Sequence, residues 1–265
     1  MSRASNPDAM KQIAYLASAL NAPRITECAA RLAASAREAN WTHEDYLAAV
    51  LEREVNARSA SGAELRIRAA GLPARKSLDE FDFDLQSPLR APMANLAAGG
   101  YLTEAHNVVL LGPPGTGKTH LATALAIAAA HQGHRVLFAS ASEWVTRLAE
   151  AHQQGQLAKE LARLRRYALL VVDEVGYLPF EQDAANLFFQ LVSSRYEQAS
   201  LILTSNLAFS SWGAVFGDQV VAAAMIDRIV HHAEVLTLKG SSYRLRGRER
   251  DTLPSVTLTA EHAEG

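Results

Sequence analysis

Residues 112–119 read Gly112-Pro113-Pro114-Gly115-Thr116-Gly117-Lys118-Thr119. An apolar run, residues 108–111, precedes it, and an alanine-rich stretch of helical character follows it. Glycines let backbone N–H groups curl around phosphate oxygens, and the positive end of the following helix faces the anion. Because the strand–loop–helix order is also present, a phosphate-binding loop is favoured over a chance glycine turn.

The last residues of this stretch supply specific chemistry for a nucleoside triphosphate. Lys118 can reach the β- and γ-phosphates, and the hydroxyl of Thr119 can hold Mg²⁺. We therefore assign residues 112–120, which end in His120, to nucleotide binding, with ATP and Mg²⁺ as the expected cofactors.

The composition is that of an ordinary soluble protein. The 265 residues are 49% hydrophobic and 20% charged, enough for one large core or for a medium domain with a small one. No uninterrupted apolar segment approaches the roughly eighteen residues of a membrane span, and the first residues lack a secretory apolar core. The single cysteine, Cys28, excludes an internal disulfide and suits a reducing cytoplasm; its helical context favours a buried hydrophobe over a reactive thiol.

Two stretches are locally basic although the formal net charge is only −2. The first patch has six basic residues against Glu54 and Glu64: Arg53, Arg58, Arg66, Arg68, Arg75 and Lys76. The second has five against Glu249: Lys239, Arg244, Arg246, Arg248 and Arg250. Each patch can follow a phosphate backbone, or it can be a solvated helix face or a frayed tail.

Residues 1–72 have the pattern of a small helical domain. Apolar residues recur at helical spacing in three stretches, Pro23 interrupts the first two, and Thr42 with Asp45 resembles a capping box. Such a module is too small to bury much core alone, so we expect it to pack against a partner or a second copy. Residues 73–250 would then form the nucleotide domain, and the short, polar residues 251–265 would be disordered.

Strands and helices alternate from about residue 100. Predicted strands cover residues 107–111, 135–140, 167–173, 200–205 and 235–238, with helices between them and a break near Gly155. Repeated βα units predict an α/β fold with a doubly wound parallel sheet flanked by helices. An acidic segment before them contains Phe81 and Phe83, which either pack near the adenine or serve the core or linker.

A buried strand ends in two acids, Asp173 and Glu174. The carboxyl edge of such a sheet is where its ligands bind. Asp173 would hold Mg²⁺ through water, and Glu174 would orient and deprotonate the attacking water. Following a phosphate-binding loop, this pair is better explained by catalysis than by capping of the next loop.

Two more residues are candidates for catalysis. Asn206 follows the strand of residues 200–205 and could sense the γ-phosphate; Thr204 is the alternative, and a turn-forming asparagine is the structural explanation. Arg228 lies on a later predicted helix, where its guanidinium could reach the γ-phosphate of a neighbouring subunit. A local pair with Asp227 would explain it without catalysis, and Arg195 is the rival for the same role.

His231 and His232 raise the question of zinc. Adjacent residues do not share a helix face, and no cysteine or further histidine stands at ligand spacing. A surface or helix-terminal role is the preferred interpretation.

This order of motifs resembles the AAA+ ATPases, and within them the IstB-like transposition helpers that are related to the DnaC helicase loaders. The resemblance runs from about residue 10 to 250 and is most specific around Trp212 and around Tyr243-Arg244. It implies an ATP-hydrolysing protein that oligomerises on duplex DNA with little regard for sequence and recruits or stimulates a partner transposase. A replicative helicase loader of the DnaC kind is the alternative. Because few residues follow Arg244, we expect no helical lid, and Arg244 would be only a weak substitute for a lid arginine.

Overall fold

The first compact unit of the chain is helical. The structure is a computed structural model that describes residues 7–177, 179–240 and Tyr243. Three helices make up this unit: α1 (Pro7–Ala19), α2 (Pro23–Glu38) and α3 (His43–Ala69). The unit ends at Ala69, close to the boundary expected at residue 72, and it also includes residues 130–133.

Local sequence signals account for the ends of these helices. Pro23 opens α2, where its missing N–H has no intrahelical partner to lose. At the start of α3, the Thr42 hydroxyl accepts from the Asp45 N–H at 3.1 Å, and the Asp45 carboxylate accepts from the Thr42 N–H at 3.3 Å. The predicted capping box is therefore confirmed.

The helical unit leaves much of its apolar surface uncovered. Cys28 is buried, as predicted. On α3, however, Leu47, Leu51 and Val55 follow each other at four-residue spacing and stay about half exposed. This stripe agrees with the expectation that so small a module cannot bury all its apolar residues alone.

The second unit contains a five-stranded sheet and eight α-helices among the described residues. The strands are β1 (Asn107–Leu111), β2 (Val136–Ser140), β3 (Leu169–Val175), β4 (Ser200–Ser205) and β5 (Ala233–Thr237). The helices are α4 (Arg90–Ala97), α5 (Gly100–Thr103), α6 (Lys118–His131), α7 (Ala141–Gln153), α8 (Leu157–Leu164), α9 (Gln182–Arg195), α10 (Trp212–Phe216) and α11 (Gln219–Val230). Two short 3₁₀ helices, Phe83–Leu89 and Phe209–Ser211, join them.

The sheet is entirely parallel, in the order β2-β3-β4-β1-β5. Alternate residues of its buried strands belong to different apolar clusters. Val109 and Leu203 lie in one cluster, whereas Val108 and Ile202 lie in the other. Because successive strand residues point to opposite faces, the two clusters cover the two faces of the sheet. The predicted α/β fold, a parallel sheet flanked by helices, is confirmed.

Strand limits differ from the sequence-based expectation by one or two residues at several ends, and two differences bear on the site. Strand β3 runs on to Val175, so Asp173 and Glu174 lie inside the strand rather than at its end. They stand where the pairing of β3 with β4 shifts register. The helical segment 83–103 was not predicted, because its helices are short and tertiary packing of Leu89 and Met93 stabilises them. In the described part of the chain, no helix combines the length and apolar character needed to cross a membrane.

Candidate functional site

The carboxyl ends of the strands meet at one edge of the sheet, and a cavity of about 680 Å³ opens there. This volume is in the usual range for a small-molecule site. Most of the predicted nucleotide-binding residues line it, together with both sensor candidates and Glu174: Pro114, Gly115, Thr116, Gly117, Lys118, Thr119, His120, Glu174, Thr204 and Asn206.

Two side chains of the glycine loop donate hydrogen bonds to carbonyl groups of the same loop. The Lys118 ammonium donates to the carbonyls of Gly112 and Pro113 at 2.7 and 2.9 Å, and the Thr116 hydroxyl donates to Pro113 at 2.8 Å. Lys118 thus lies folded over the loop, where phosphate oxygens are expected to replace the carbonyls as acceptors.

The segment after β5 passes close to the loop. A Cβ at Gly112, whose φ is +147°, would lie 2.3 Å from the carbonyl oxygen of Leu238. The N–H of Tyr243 donates to the carbonyl of Gly115 at 2.9 Å. Only glycine at position 112 permits this approach. Further along the same segment, Lys239, Gly240 and Tyr243 form part of the cavity wall.

Asp173 is 6% exposed and lies beside the first turn of α6. The Thr119 hydroxyl is 3.0 and 2.9 Å from its two carboxylate oxygens, and the Thr204 hydroxyl donates to one of them. A hydroxyl and a carboxylate at this spacing are hard oxygen donors of the kind that Mg²⁺ prefers. The predicted metal residues, Thr119 and Asp173, are therefore together and fit that ion.

Glu174 adopts an unusual backbone conformation. Its φ is 62°, in the left-handed region, and the pairing of β3 with β4 shifts register around it. The bulge leaves Asp173 buried and turns the exposed Glu174 toward the cavity that it lines. A carboxylate on a strained bulge beside a ligand cavity is typical of functional sites.

Both sensor candidates line the cavity, with different environments. Thr204 is buried and its hydroxyl accepts from the Glu174 N–H at 2.9 Å while donating to Asp173. Asn206 is exposed at the cavity wall beyond the end of β4. Thr204 thus sets the positions of the two acids, and Asn206 has the more accessible side chain. Its role as sensor stays a prediction.

The structure separates the two candidate arginines. Arg195 is 1% exposed, and its guanidinium donates to four carbonyls of its own chain, those of Leu164, Tyr167, Ala168 and Ser200. Burial lowers the pKa of Arg195 to about 10. The alternative that Arg195 reaches a neighbouring subunit is therefore wrong, because its guanidinium is buried and hydrogen-bonded inside its own subunit.

Arg228 is partly exposed on α11. Its guanidinium lies 4.5 Å from the ring centre of Phe189 and donates to the Ala224 carbonyl at 3.3 Å. Among the described residues, the cavity wall does not include Arg228. This position is compatible with action on a neighbouring subunit, which stays a prediction.

One wall of the cavity combines residues that the sequence had pointed to with residues that it had not. Phe81 lies in this wall and packs edge-on against His120, whose ring nitrogen is 2.8 Å from the Ser77 carbonyl. Phe83 is buried in the core, as the structural alternative predicted, whereas contact of Phe81 with an adenine stays a prediction. The wall also includes residues for which no motif gave a signal: Glu80, Leu85 and Gln86.

The basic patches are partly explained by local partners. Lys76 and Lys239, one from each patch, line the cavity. In the helical unit, three arginines have partners there: Arg58 with Glu54, Arg66 with the Ala130 carbonyl and Arg68 with Glu64. The rest of the second patch, Arg244 to Arg250, lies outside the described residues, as does the predicted disordered tail, 251–265.

Comparison with known proteins agrees with this site. The profile of a family described as IstB-like ATP binding protein matches residues 15–251. The chain belongs to this family. The IstB-like chain is 40% identical over 242 residues to a protein of insertion sequence IS21 from Pseudomonas aeruginosa whose name refers to ATP binding, and the match covers 91% of each chain. Membership of this family makes it an ATP-binding protein.

Solved structures support the fold of this IstB-like chain. The DnaC helicase loader aligns with a TM-score of 0.50 at 22% identity, over 66% of this chain and 99% of that one. AMPPCP-bound DnaA from Aquifex aeolicus aligns with a TM-score of 0.54 at 20% identity, over 69% of this chain and 56% of that one. At these identities the likeness concerns the fold alone.

Proposed function

We propose that this chain is an Mg²⁺-dependent ATPase that assists the transposition of an insertion sequence. ATP-bound subunits would assemble on duplex DNA and recruit or stimulate the partner transposase, and hydrolysis would release the assembly. The observation that supports hydrolysis most directly is the group of Thr119, Asp173 and Thr204 beside Glu174. The role in transposition is supported by the similarity to an insertion-sequence protein.

Each residue of the site has a defined task in this proposal. The Lys118 ammonium and the loop N–H groups bind the β- and γ-phosphates. Thr119 and Asp173 would hold Mg²⁺, which would supply positive charge to neutralise the charge that develops on the phosphoryl oxygens. Glu174, turned into the cavity by its bulge, accepts a proton from the attacking water. Asn206 orients that water or senses the γ-phosphate.

Binding to DNA would rest on exposed basic residues. Arg53 is exposed on α3, and Arg58 and Arg68 on the same helix keep more than half of each side chain in solvent despite their ion pairs. Contacts of this kind release counterions, so the affinity for duplex DNA should fall steeply as salt rises. An affinity that is insensitive to salt would exclude these arginines as the contact.

The decisive experiment replaces Glu174 by glutamine. Glu174→Gln keeps the shape of the side chain but removes the proton acceptor, so turnover of ATP with Mg²⁺ and duplex DNA should fall at least about 100-fold. ATP binding should persist, and the DNA-bound assembly should accumulate because release requires hydrolysis. Turnover is measured as phosphate release and assembly by light scattering or sedimentation.

Two control variants complete this experiment. Glu150→Gln makes the same change at an exposed position on α7 and should leave turnover intact. Lys118→Ala should abolish ATP binding and, with it, assembly. Normal hydrolysis by Glu174→Gln would remove Glu174 from the proposed role. A preference for single-stranded over duplex DNA would instead favour the helicase-loader alternative.

A further inference from the structure

A second group of ligand-type side chains lies at the amino edge of the sheet, opposite the cavity. Glu197 follows α9 and precedes β4, while His231 and His232 lie between α11 and β5. One ligand atom from each of the three side chains can be chosen so that all lie within 4.8 Å of one another. All three residues are exposed, so an ion from solvent can reach them.

The distances from Glu197 to the two histidines are close to those of a metal site. One carboxylate oxygen of Glu197 is 3.6 Å from Nε2 of His232 and 3.9 Å from Nδ1 of His231. In a tetrahedral zinc site with bonds of about 2.05 Å, neighbouring ligand atoms are about 3.3 Å apart. Shifts of a few tenths of an ångström would bring Glu197 to that spacing from each histidine. The widest separation in the group, up to 4.8 Å, must close by up to about 1.5 Å, which rotation of the exposed side chains allows.

The surroundings of the group favour a cation. Glu197 and the two histidines follow the carboxyl ends of α9 and α11, where the helix dipole is negative. The ring of His106 stacks on His232 at 5.2 Å between centroids and is itself paired with Glu104. This stacking restricts the plane of the His232 ring, as outer contacts do in metal sites.

Tyr196 forms a hydrogen bond with one of the histidine nitrogens. Its phenol oxygen is 2.7 Å from Nδ1 of His231. An ion bound through this nitrogen must displace the phenol, which is partly solvent-accessible and can turn to water instead. The hydrogen bond therefore competes with metal binding but does not block it.

We propose that Glu197, His231 and His232 form a binding site for a divalent transition metal ion, with water completing the coordination. Two imidazoles and one carboxylate are the donor set that suits Zn²⁺ and Co²⁺ and disfavours Mg²⁺. The sequence argued against zinc because no further ligand stood near the two histidines. The expected helix-terminal position is confirmed for His231, which caps α11, but the fold adds Glu197 from a distant part of the chain.

Isothermal titration of the full chain with ZnCl₂ tests this site. The protein should carry no histidine tag, and nucleotide and Mg²⁺ should be absent. We expect one saturable Zn²⁺ site per chain and a rise in the thermal midpoint, because the ion would bind the folded state and join two distant turns. Glu197→Gln, His231→Ala and His232→Ala should each weaken binding at least about tenfold.

The controls separate this site from other binders of zinc. His152→Ala removes an exposed histidine on α7 and should leave the titration unchanged. Asp173→Asn removes the carboxylate of the nucleotide site and should also leave it unchanged. The proposal is overturned if no saturable binding occurs, if the three cluster variants bind like the parent chain, or if Asp173→Asn alone abolishes binding.

Discussion

The hydroxyl of Thr204 has two partners in the cavity wall. It donates to the Asp173 carboxylate and accepts from the Glu174 N–H, so one buried oxygen fixes both acids. Strand β4 lies between β3 and β1 in the sheet, which places this hydroxyl between the acids and the glycine loop. The residue thus links the proposed metal ligand to the proposed base.

Replacing Thr204 by valine should impair both stability and turnover. Valine has the same shape but leaves the Glu174 N–H without its acceptor, at a loss of about 1–3 kcal/mol of unfolding free energy. Turnover of ATP should fall because Asp173 and Glu174 lose their common support. Urea unfolding and phosphate release measure the two effects.

Thr204→Ser is the matched control for this prediction. Serine retains the hydroxyl and should recover most of the turnover lost in the valine variant. Equal turnover in Thr204→Val and the parent chain would show that the hydroxyl has no part in positioning the acids.

Individual site residues were predictable where a motif fixed them. The glycine loop, Thr119, Asp173 and Glu174 come together as the sequence indicated. The wall that contains Gln86 was not foreseen, because its position depends on packing between segments far apart in sequence: the Lys239 N–H donates to Gln86 at 3.3 Å. A count of charges likewise cannot distinguish a basic patch from a cavity wall.

At the scale of elements, Arg195 ties the end of α9 to neighbouring segments. Its buried guanidinium bonds to carbonyls that follow α8, precede β3 and begin β4. Arg195→Met should therefore lower the unfolding free energy by at least about 3 kcal/mol, since several buried carbonyls lose a charged donor. Urea or thermal unfolding measures this loss.

Arg228→Met provides the comparison. Arg228 is partly exposed and donates to a single carbonyl, so this variant should lose less than about 1 kcal/mol. The two arginines would then differ in kind, one structural and one available to a partner. Similar losses of stability in both variants would contradict this distinction.

Elements with a clear apolar pattern were predictable, and irregular ones were not. Strands β1 and β4 match their expected limits, because continuous apolar runs mark strands buried on both faces. The bulge at Glu174 leaves no trace in such a pattern. It depends on how β3 pairs with β4, which is a property of the assembled sheet.

For the whole molecule, the central question is whether subunits share an active site. If Arg228 acts on the nucleotide of a neighbour, Arg228→Ala and Lys118→Ala proteins should each be inactive alone. A mixture should regain part of the ATP turnover, because some junctions combine an intact loop with an intact arginine. Phosphate release is measured across mixing ratios at constant total protein.

The expected curve has a maximum at intermediate ratios. A mixture of Lys118→Ala with Glu174→Gln is the matched control, since both changes disable the same half of the junction and should give no recovery. A flat response for the first mixture would place the action of Arg228 within its own subunit or exclude it from catalysis.

The fold class was predictable because the phosphate-binding loop and the alternation of strands and helices agree. The assignment of residues to the two units was less predictable. Residues 130–133, at the end of α6, group with the helical unit although they follow the loop in sequence. A boundary drawn from composition cannot detect a grouping that arises from contacts in space.

The left-handed backbone of Glu174 has a consequence for protein engineering. A residue with a side chain pays about 1–2 kcal/mol for this conformation, whereas glycine adopts it without strain. A library of variants at position 174 that is selected only for thermal stability should therefore enrich glycine and lose the carboxylate. Variants with higher thermal stability would then lack the proposed base, so a screen for stability must measure phosphate release at the same time.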